Sequence, residues 1–311
     1  MEFNHISVML NECIDALNIK PNGTYMDGTL GGGGHSSIIA SKLNERGTLV
    51  CFDLDTEAIE FAKTRVKSTG NLIFAHQNFK NFLSVLQENN ITGLDGILVD
   101  LGVSSYQIDN PERGFSYMQD GPLNMCMDKS ASLNAEFVVN EYTEQKLTEI
   151  FFKYGEEKFS RSIARGIVNA RKINPIKTTL QLVDIIEKNI PTKARFANGH
   201  PAKRIFQAIR IEVNGELSNL KEFLFDCVRK GLNKGGRLAV ITFHSLEDKI
   251  VKDAFKELST DCLCDKKLPV CICHHQAEIK LINKKPILPS QQELQSNSRS
   301  HSAKLRIIEK L

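Results

Sequence analysis

Asp27-Gly28-Thr29-Leu30-Gly31-Gly32-Gly33-Gly34-His35 is a turn almost stripped of side chains, and its neighbours give it a context. Thr24-Tyr25-Met26 before it is strand-like, and Ser36 to Leu43 after it reads as a helix, with Ile38, Ile39 and Leu43 on one side. Glycines at such a strand-to-helix turn let the backbone approach a ligand and leave the first amides of the helix free. Working outward, Thr48-Leu49-Val50-Cys51-Phe52 is a short buried strand ending at Asp53, followed by a helix with Ala58, Ile59, Ala62 and Val66 at helical spacing. Leu72 to Ala75 is a third strand, Phe82 to Leu86 belongs to a third helix, and Gly96-Ile97-Leu98-Val99 is a fourth strand ending at Asp100. Strands and helices alternating in this way imply an α/β fold, a doubly wound, Rossmann-like parallel sheet with helices on both faces.

The next buried strand, Arg237 to Phe243, comes only after the Gly235-Gly236 turn and an amphipathic helix from about Leu217 to Leu232. The gap from Asp100 to Arg237 is far longer than one crossover needs. A mainly helical subdomain is therefore expected at 105–212, interrupting a sheet domain made of 1–104 and 213–311. Its helical signals are Glu144 to Phe152, Glu157 to Arg171 and Thr179 to Asn189, with breaks at Pro175 and Pro191. Strand-like Glu278 to Ile282 and Ala303 to Ile308, joined by the polar stretch Pro289 to Ser302, close the chain.

Hydrophobic residues at 41% and charged residues at 25% are ordinary for a globular protein, and no apolar run is long enough to span a bilayer. The first residues lack a basic segment followed by an apolar one, so a cytoplasmic protein with no membrane association is expected. The scattered Cys13, Cys51, Cys126 and Cys227 fit a reducing compartment. Net charge is only +3, but Ile150 to Glu212 holds 13 Lys and Arg against 5 Asp and Glu, a local +8. A segment of that sign suits a polyanion, although a solvated helical surface would read the same way.

Asp53 ends its strand 22 positions after Gly31, where an acid can accept hydrogen bonds from ribose hydroxyls. Two cofactors share that logic. A dinucleotide fingerprint needs a third glycine, but the frames starting at Gly31 and Gly32 end on Ser36 and Ser37. Asp27 before the turn suits the amino group of a methionine better than a pyrophosphate, so the balance favours S-adenosylmethionine over a nicotinamide. A glycine turn without a ligand is the plain alternative. Asp100, at the carboxyl end of the fourth strand, is the candidate catalytic residue. It could orient an exocyclic amine toward a transferred methyl group, though strand-terminal Asp residues also serve as helix caps.

From here the chain resembles, over nearly its whole length, the bacterial small-subunit (16S) ribosomal RNA cytosine-N4 methyltransferases. The resemblance rests on His5 to Leu10, Asp27 to Ser36, Asp100 to Ser105, Glu112 to Ser116, Tyr154 to Lys158 and His200 to Arg204. Phe206 to Ile211 with Asn214, and Phe243 to Asp248, complete it. It implies that Gly33, Gly34, His35, Asp53, Phe79, Asp100 and Gln107 contact S-adenosylmethionine. The implied substrate is a cytidine of the decoding region, methylated on N4 after being unstacked into a pocket. The partner would be the ribosomal RNA or the small subunit itself, with a homodimer left open. Lys203, Arg204 and Arg210, with Arg195, would contact phosphates, and Arg113 would lie closer to the substrate. The family usually reads Pro-Leu-Asp-Met-Arg-Met-Asp where this chain has Pro122-Leu123-Asn124-Met125-Cys126-Met127-Asp128, so an acid and a base are lost together. Tyr106 replaces a usual proline, and His301 stands where an arginine is common.

Cys262-Leu263-Cys264 and Cys271-Ile272-Cys273-His274-His275 place six potential metal ligands within 14 residues. Their C-x-C spacing is less suited to a zinc tetrahedron than C-x-x-C, so the expectation is a reduced loop without a metal. His244 is expected to be structural or to contact RNA. Two other functions stay in view, a nicotinamide-dependent oxidoreductase on the same sheet and a non-catalytic RNA-binding assembly factor.

Overall fold

Among the described residues, seven strands form one sheet: β1 (Thr24–Asp27), β2 (Thr48–Asp53), β3 (Asn71–His76), β4 (Leu94–Asp100), β5 (Leu232–Thr242), β6 (Ile279–Leu281) and β7 (Lys304–Lys310). Their order is β3-β2-β1-β4-β5-β7-β6. The first five run parallel, whereas β7 is antiparallel to β5 and to β6. The computed structural model describes residues 7–195, 199–262, 264, 272–273 and 276–311. Helices α1 (Leu10–Leu17), α2 (Gly34–Ser41), α3 (Thr56–Arg65) and α4 (Phe82–Glu88) lie in the first part of the chain. They are followed by α5 (Ser105–Asp109), α6 (Ala135–Glu141), α7 (Glu144–Lys153), α8 (Ser160–Arg171), α9 (Thr179–Lys188) and α10 (Ala202–Asn214). After these come α11 (Leu220–Asp226), α12 (Ser245–Leu258) and α13 (Gln291–Ser296).

The chain divides into two units, residues up to Gly102 with Ser218–Leu311, and Val103–Leu217. The sheet unit is the doubly wound α/β fold that the alternation implies. Leu49 to Phe52 and Ile97 to Val99 are fully buried, as inner parallel strands covered on both faces must be. At the sheet edge β3 is only half-buried, and its Leu72, Ile73 and Phe74 still face partly outward. Beneath the sheet α1 buries Cys13, Ile14 and Leu17, an i, i+1, i+4 apolar face.

Two local expectations are corrected. The helix expected from Leu217 to Leu232 is α11 plus a π-helical turn at Cys227–Gly231. The Gly235-Gly236 turn lies inside β5, which already starts at Leu232. There Gly235 takes φ 78°, and the pairing with β4 shifts register between Leu94 and Gly96. A β-bulge of this kind absorbs the glycines without ending the strand.

In the second unit α7, α8, α9 and α10 surround a core that includes Phe151, Ile163, Ile167, Leu182, Ile186, Ile205 and Ile209. A Thr178–Gln181 capping box sets the start of α9. Helix α8 begins at Ser160, later than the expected Glu157, because Glu156 is left-handed at φ 50° and Glu157 Oε1 accepts the Phe159 amide at 2.9 Å.

Candidate functional site

In the sheet unit the strand order reverses between β1 and β4, and ligands of open α/β sheets sit outside the carboxyl ends at that point. Asp27 ends β1, Asp53 ends β2 and Asp100 ends β4. The glycine turn is tied across the crevice. Gly28 N–H donates to Leu98 O at 2.8 Å, and the Asp100 amide donates to Thr29 Oγ1 at 2.7 Å. Gly31 and Gly33 take φ 46° and 72°, so the turn requires residues that tolerate the left-handed region. A Cβ at Gly34 would collide with Ser7 Oγ. Helix α2 then starts at Gly34, with its first amides at the carboxyl edge of the sheet.

The three carboxylates are held differently. Asp27 is buried, accepting the Ser36 hydroxyl at 2.6 Å on one oxygen and the Thr29 amide at 3.1 Å on the other. Asp53 accepts Gly31 N–H at 2.7 Å and Asp55 N–H at 2.9 Å, one on each oxygen. Burial pushes its carboxyl up to about 6, although those amides pull the other way. Asp100 Oδ1 is sealed from solvent and has no hydrogen-bond partner among the described residues. Burial pushes this carboxyl well above the usual carboxylate range, and Asp27, Glu247 and Glu293 push it further.

Three neighbours shape the same edge. Phe79 follows β3 and opens a short 3-10 turn, its ring edge-on to Phe223 at 4.8 Å. A Cβ at Gly28 would lie 3.2 Å from Phe79 Cβ, which places this aromatic beside the glycine turn. His35 is buried, donates from Nε2 to Val8 O at 3.1 Å, and is kept neutral by burial, which lowers its pKa. Through Nε2 the ring ties the start of α2 to Val8. His244 caps α12, with Nδ1 accepting the Glu247 amide at 3.4 Å and Glu247 Oε2 accepting Phe243 N–H at 2.9 Å. Glu293 is a member of this edge that the sequence did not single out, while Thr29 and Glu247 were quoted there without a role. A shallow depression of about 490 Å³ lined by Asn22, Asn44 and Thr69 lies before β1 and β3, at the opposite end of the strands.

The same sequence matches the MraW methylase family model across residues 2–311. The chain belongs to this family. A Clostridium botulinum (strain Loch Maree / Type A3) relative named ribosomal RNA small subunit methyltransferase H is 56% identical over 311 residues, covering 100% of both chains. The protein of that name from Clostridioides difficile (strain 630) is 52% identical over 312 residues, again covering 100% of both. A solved rRNA methylase from Streptococcus thermophilus aligns at a TM-score of 0.37 and 11% identity, covering 97% of this chain and 93% of that one. That likeness is too loose to weigh.

In the second unit of the chain, the residues expected to meet RNA fall into two groups. Lys203 is exposed, and Arg204 is partly exposed with Nη1 3.9 Å from Glu157 Oε2. Arg210 is instead clamped by Glu216 through two bonds of 2.9 Å, at 18% and 9% exposure. Arg113 is buried, and its Nη2 donates to Cys126 O at 2.9 Å and Met127 O at 3.1 Å. Both guanidiniums are thus engaged inside the unit. Gln107, expected at the cofactor, is buried in a capping box with Ser104. Asn124 Oδ1 accepts Cys126 N–H at 2.9 Å, and the buried Cys126 thiol donates to Leu133 O at 3.2 Å. Asn214 pins the same loop through Met125 O and Met127 N–H, each at 2.8 Å. The loop that departs from the family pattern is therefore knit into its unit by other hydrogen bonds.

Proposed function

We propose that this protein transfers a methyl group from S-adenosylmethionine to the N4 amino nitrogen of a cytidine in the decoding region of small-subunit ribosomal RNA. The observation that carries the reading is Asp100, with a sealed oxygen that has no hydrogen-bond partner among the described residues, under the fields of Asp27, Glu247 and Glu293. A site of that sign calls for a cation. S-adenosylmethionine brings an ammonium and a sulfonium, whereas a nicotinamide dinucleotide brings a pyrophosphate. A phosphate about 5 Å from one of these carboxylates would be repelled by about 3 kcal/mol at an effective dielectric near 20. The charge argument therefore disfavours the oxidoreductase, and the relatives' printed function points the same way.

In this reading the backbone at Gly33 and Gly34 lies against the methionine part, Phe79 packs on the adenine, and Asp53 receives the ribose hydroxyls. When bound, the cofactor supplies an electrophilic methyl group. Asp100 holds a hydrogen of the target amine and so directs the nitrogen lone pair, a positioning role, since attack on a sulfonium methyl needs alignment more than acid–base power. Gln107 would act from its capping box. The target base must leave its stack to reach such a pocket. The unit 103–217 supplies phosphate contacts, chiefly from Lys203 and Arg204, to naked ribosomal RNA or to the small subunit in the cytoplasm.

Mass mapping of nucleosides in ribosomal RNA from cells lacking the protein tests the assignment. Loss of N4-methylcytidine at one decoding-region position is expected. It should return with the intact gene and not with Asp100→Asn. Unchanged N4-methylcytidine would remove the substrate assignment.

A further inference from the structure

We propose that Cys262, Cys264 and Cys273 bind a single zinc ion as thiolates, fastening the loop between α12 and β6. The sequence argued against a metal because two ligands in C-x-C spacing crowd one side of a tetrahedron. The structure answers that objection with a third sulfur brought in from nine residues further on. The three Sγ atoms lie within 4.8 Å of one another, and those of Cys262 and Cys273 are 3.8 Å apart. A tetrahedral zinc with Zn–S bonds of about 2.3 Å has sulfur–sulfur edges of about 3.8 Å. The Cys262–Cys273 pair already stands at that spacing, and Cys264 Sγ lies within 4.8 Å of both.

Two further features fit a thiolate site. The Ile272 amide donates to Cys264 Sγ at 3.4 Å, the kind of N–H contact that orients and stabilises a ligating thiolate. The base of the loop is closed before any metal arrives. Glu278 N–H donates to Leu258 O at 2.8 Å, and Ala277 N–H donates to Asp261 Oδ1 at 3.4 Å. A closed neck lowers the entropy that binding must remove from the loop. Among the described cysteines these three alone are not buried, so an ion can reach them, while Cys13, Cys51, Cys126 and Cys227 are sealed in the two units.

Zinc binding exchanges three thiol protons for the ion, leaving one coordination position for water or a further side chain. Cys271, His274 and His275, which the sequence also offers as ligands, lie outside the described residues. The ion's work is structural. It would cross-link a loop remote in sequence from the glycine turn and from Asp100, and the proposal is independent of which base is methylated.

The test uses the full chain, expressed with zinc in the medium and purified under reducing conditions. Elemental analysis should find one zinc per chain. Cys264→Ser and Cys273→Ser should lose nearly all of it, whereas Cys126→Ser should keep it. Refilling the zinc-depleted wild type with Co²⁺ should give the sulfur-to-metal charge-transfer and intense visible bands of a tetrahedral thiolate site. This second measurement does not depend on the variants folding. Protein that neither retains zinc nor shows thiolate bands with Co²⁺ overturns the proposal. So does zinc that stays in both Ser variants, or a Cys262–Cys273 disulfide trapped by alkylation directly from cells.

Discussion

Asp53 makes cofactor affinity depend on pH in a way that can be worked from its contacts. Its two oxygens already accept Gly31 N–H and Asp55 N–H, leaving one lone pair on each for two ribose hydroxyls. Both hydroxyls can donate at once only to the ionised carboxylate, so that form binds them more tightly, while burial sets the free carboxyl at about 6. Binding below that pH must first release a proton. The S-adenosylmethionine dissociation constant should therefore fall about tenfold per pH unit up to about 6 and then level off. At about pH 8, Asp53→Asn removes charge-assisted bonds of about 1.5–3 kcal/mol, a loss of about 10- to 150-fold. It also turns an amide NH₂ toward one of the two backbone donors, which adds to the absolute loss without adding a titration. The decisive quantity is therefore the ratio of variant to wild-type dissociation constants, read by titration calorimetry between about pH 5 and pH 8. It should shrink toward low pH, because the wild type loses its charge there, and any step due to Asp100 is common to both proteins. A ratio that stays constant over this range would show that the ribose is held elsewhere.

Other outcomes follow from the same geometry. Asp100→Asn removes a buried charge that Asp27, Glu247 and Glu293 oppose. The raised carboxyl costs nothing at low pH and increasingly more as pH rises through its folded pKa. The variant's melting temperature should thus gain on the wild type as pH rises, while cofactor binding weakens; a gain independent of pH refutes this. Asp248 is pushed up by burial but held below the usual carboxylate range overall by Arg306 at 2.7 Å and by Lys304. Its stabilisation is present above the unfolded carboxylate pKa and lost as pH falls through the depressed value. Asp248→Ala should cost about 3–5 kcal/mol in denaturant unfolding at neutral pH, by stranding Arg306 at 11% exposure; a change under about 1 kcal/mol would show the pair to be dispensable. Lys203→Ala should weaken RNA binding and lower the salt slope by about one ion, whereas Arg210→Ala should chiefly destabilise its unit by freeing Glu216. Equal salt slopes for the two variants would erase that distinction.

The strands carrying Asp27, Asp53 and Asp100 were legible because each is a short apolar run ending in an acid, and inner parallel strands leave little room for another reading. The same signal existed for α1, where Leu10, Cys13, Ile14 and Leu17 follow helical spacing, yet it was passed over beside the stronger glycine turn. The π turn at Cys227–Gly231 and the bulged start of β5 were not legible, since Arg229-Lys230-Gly231 and Asn233-Lys234-Gly235-Gly236 carry no apolar repeat and read as turns. Arg113 and Arg210 show the other limit. A basic residue in a basic segment looks available to RNA until tertiary structure supplies Glu216 for one and two carbonyls for the other. Charge counted along a chain overstates the charge a partner can feel, because it cannot see which cations are already spoken for.

That asymmetry also explains why the acidic edge is the more informative half of the molecule. Pairing reduces the significance of a cation, but the orphaned Asp100 Oδ1 gains significance from what surrounds it, since three further carboxylates raise the cost of its charge. The cost can be relieved in two ways, by a proton on Asp100 or by a positive ligand beside the ionised carboxylate. The glycine turn admits many cofactors with a ribose. The carboxylates beside it narrow these to one that arrives with positive charge near its reactive carbon, as a sulfonium donor does.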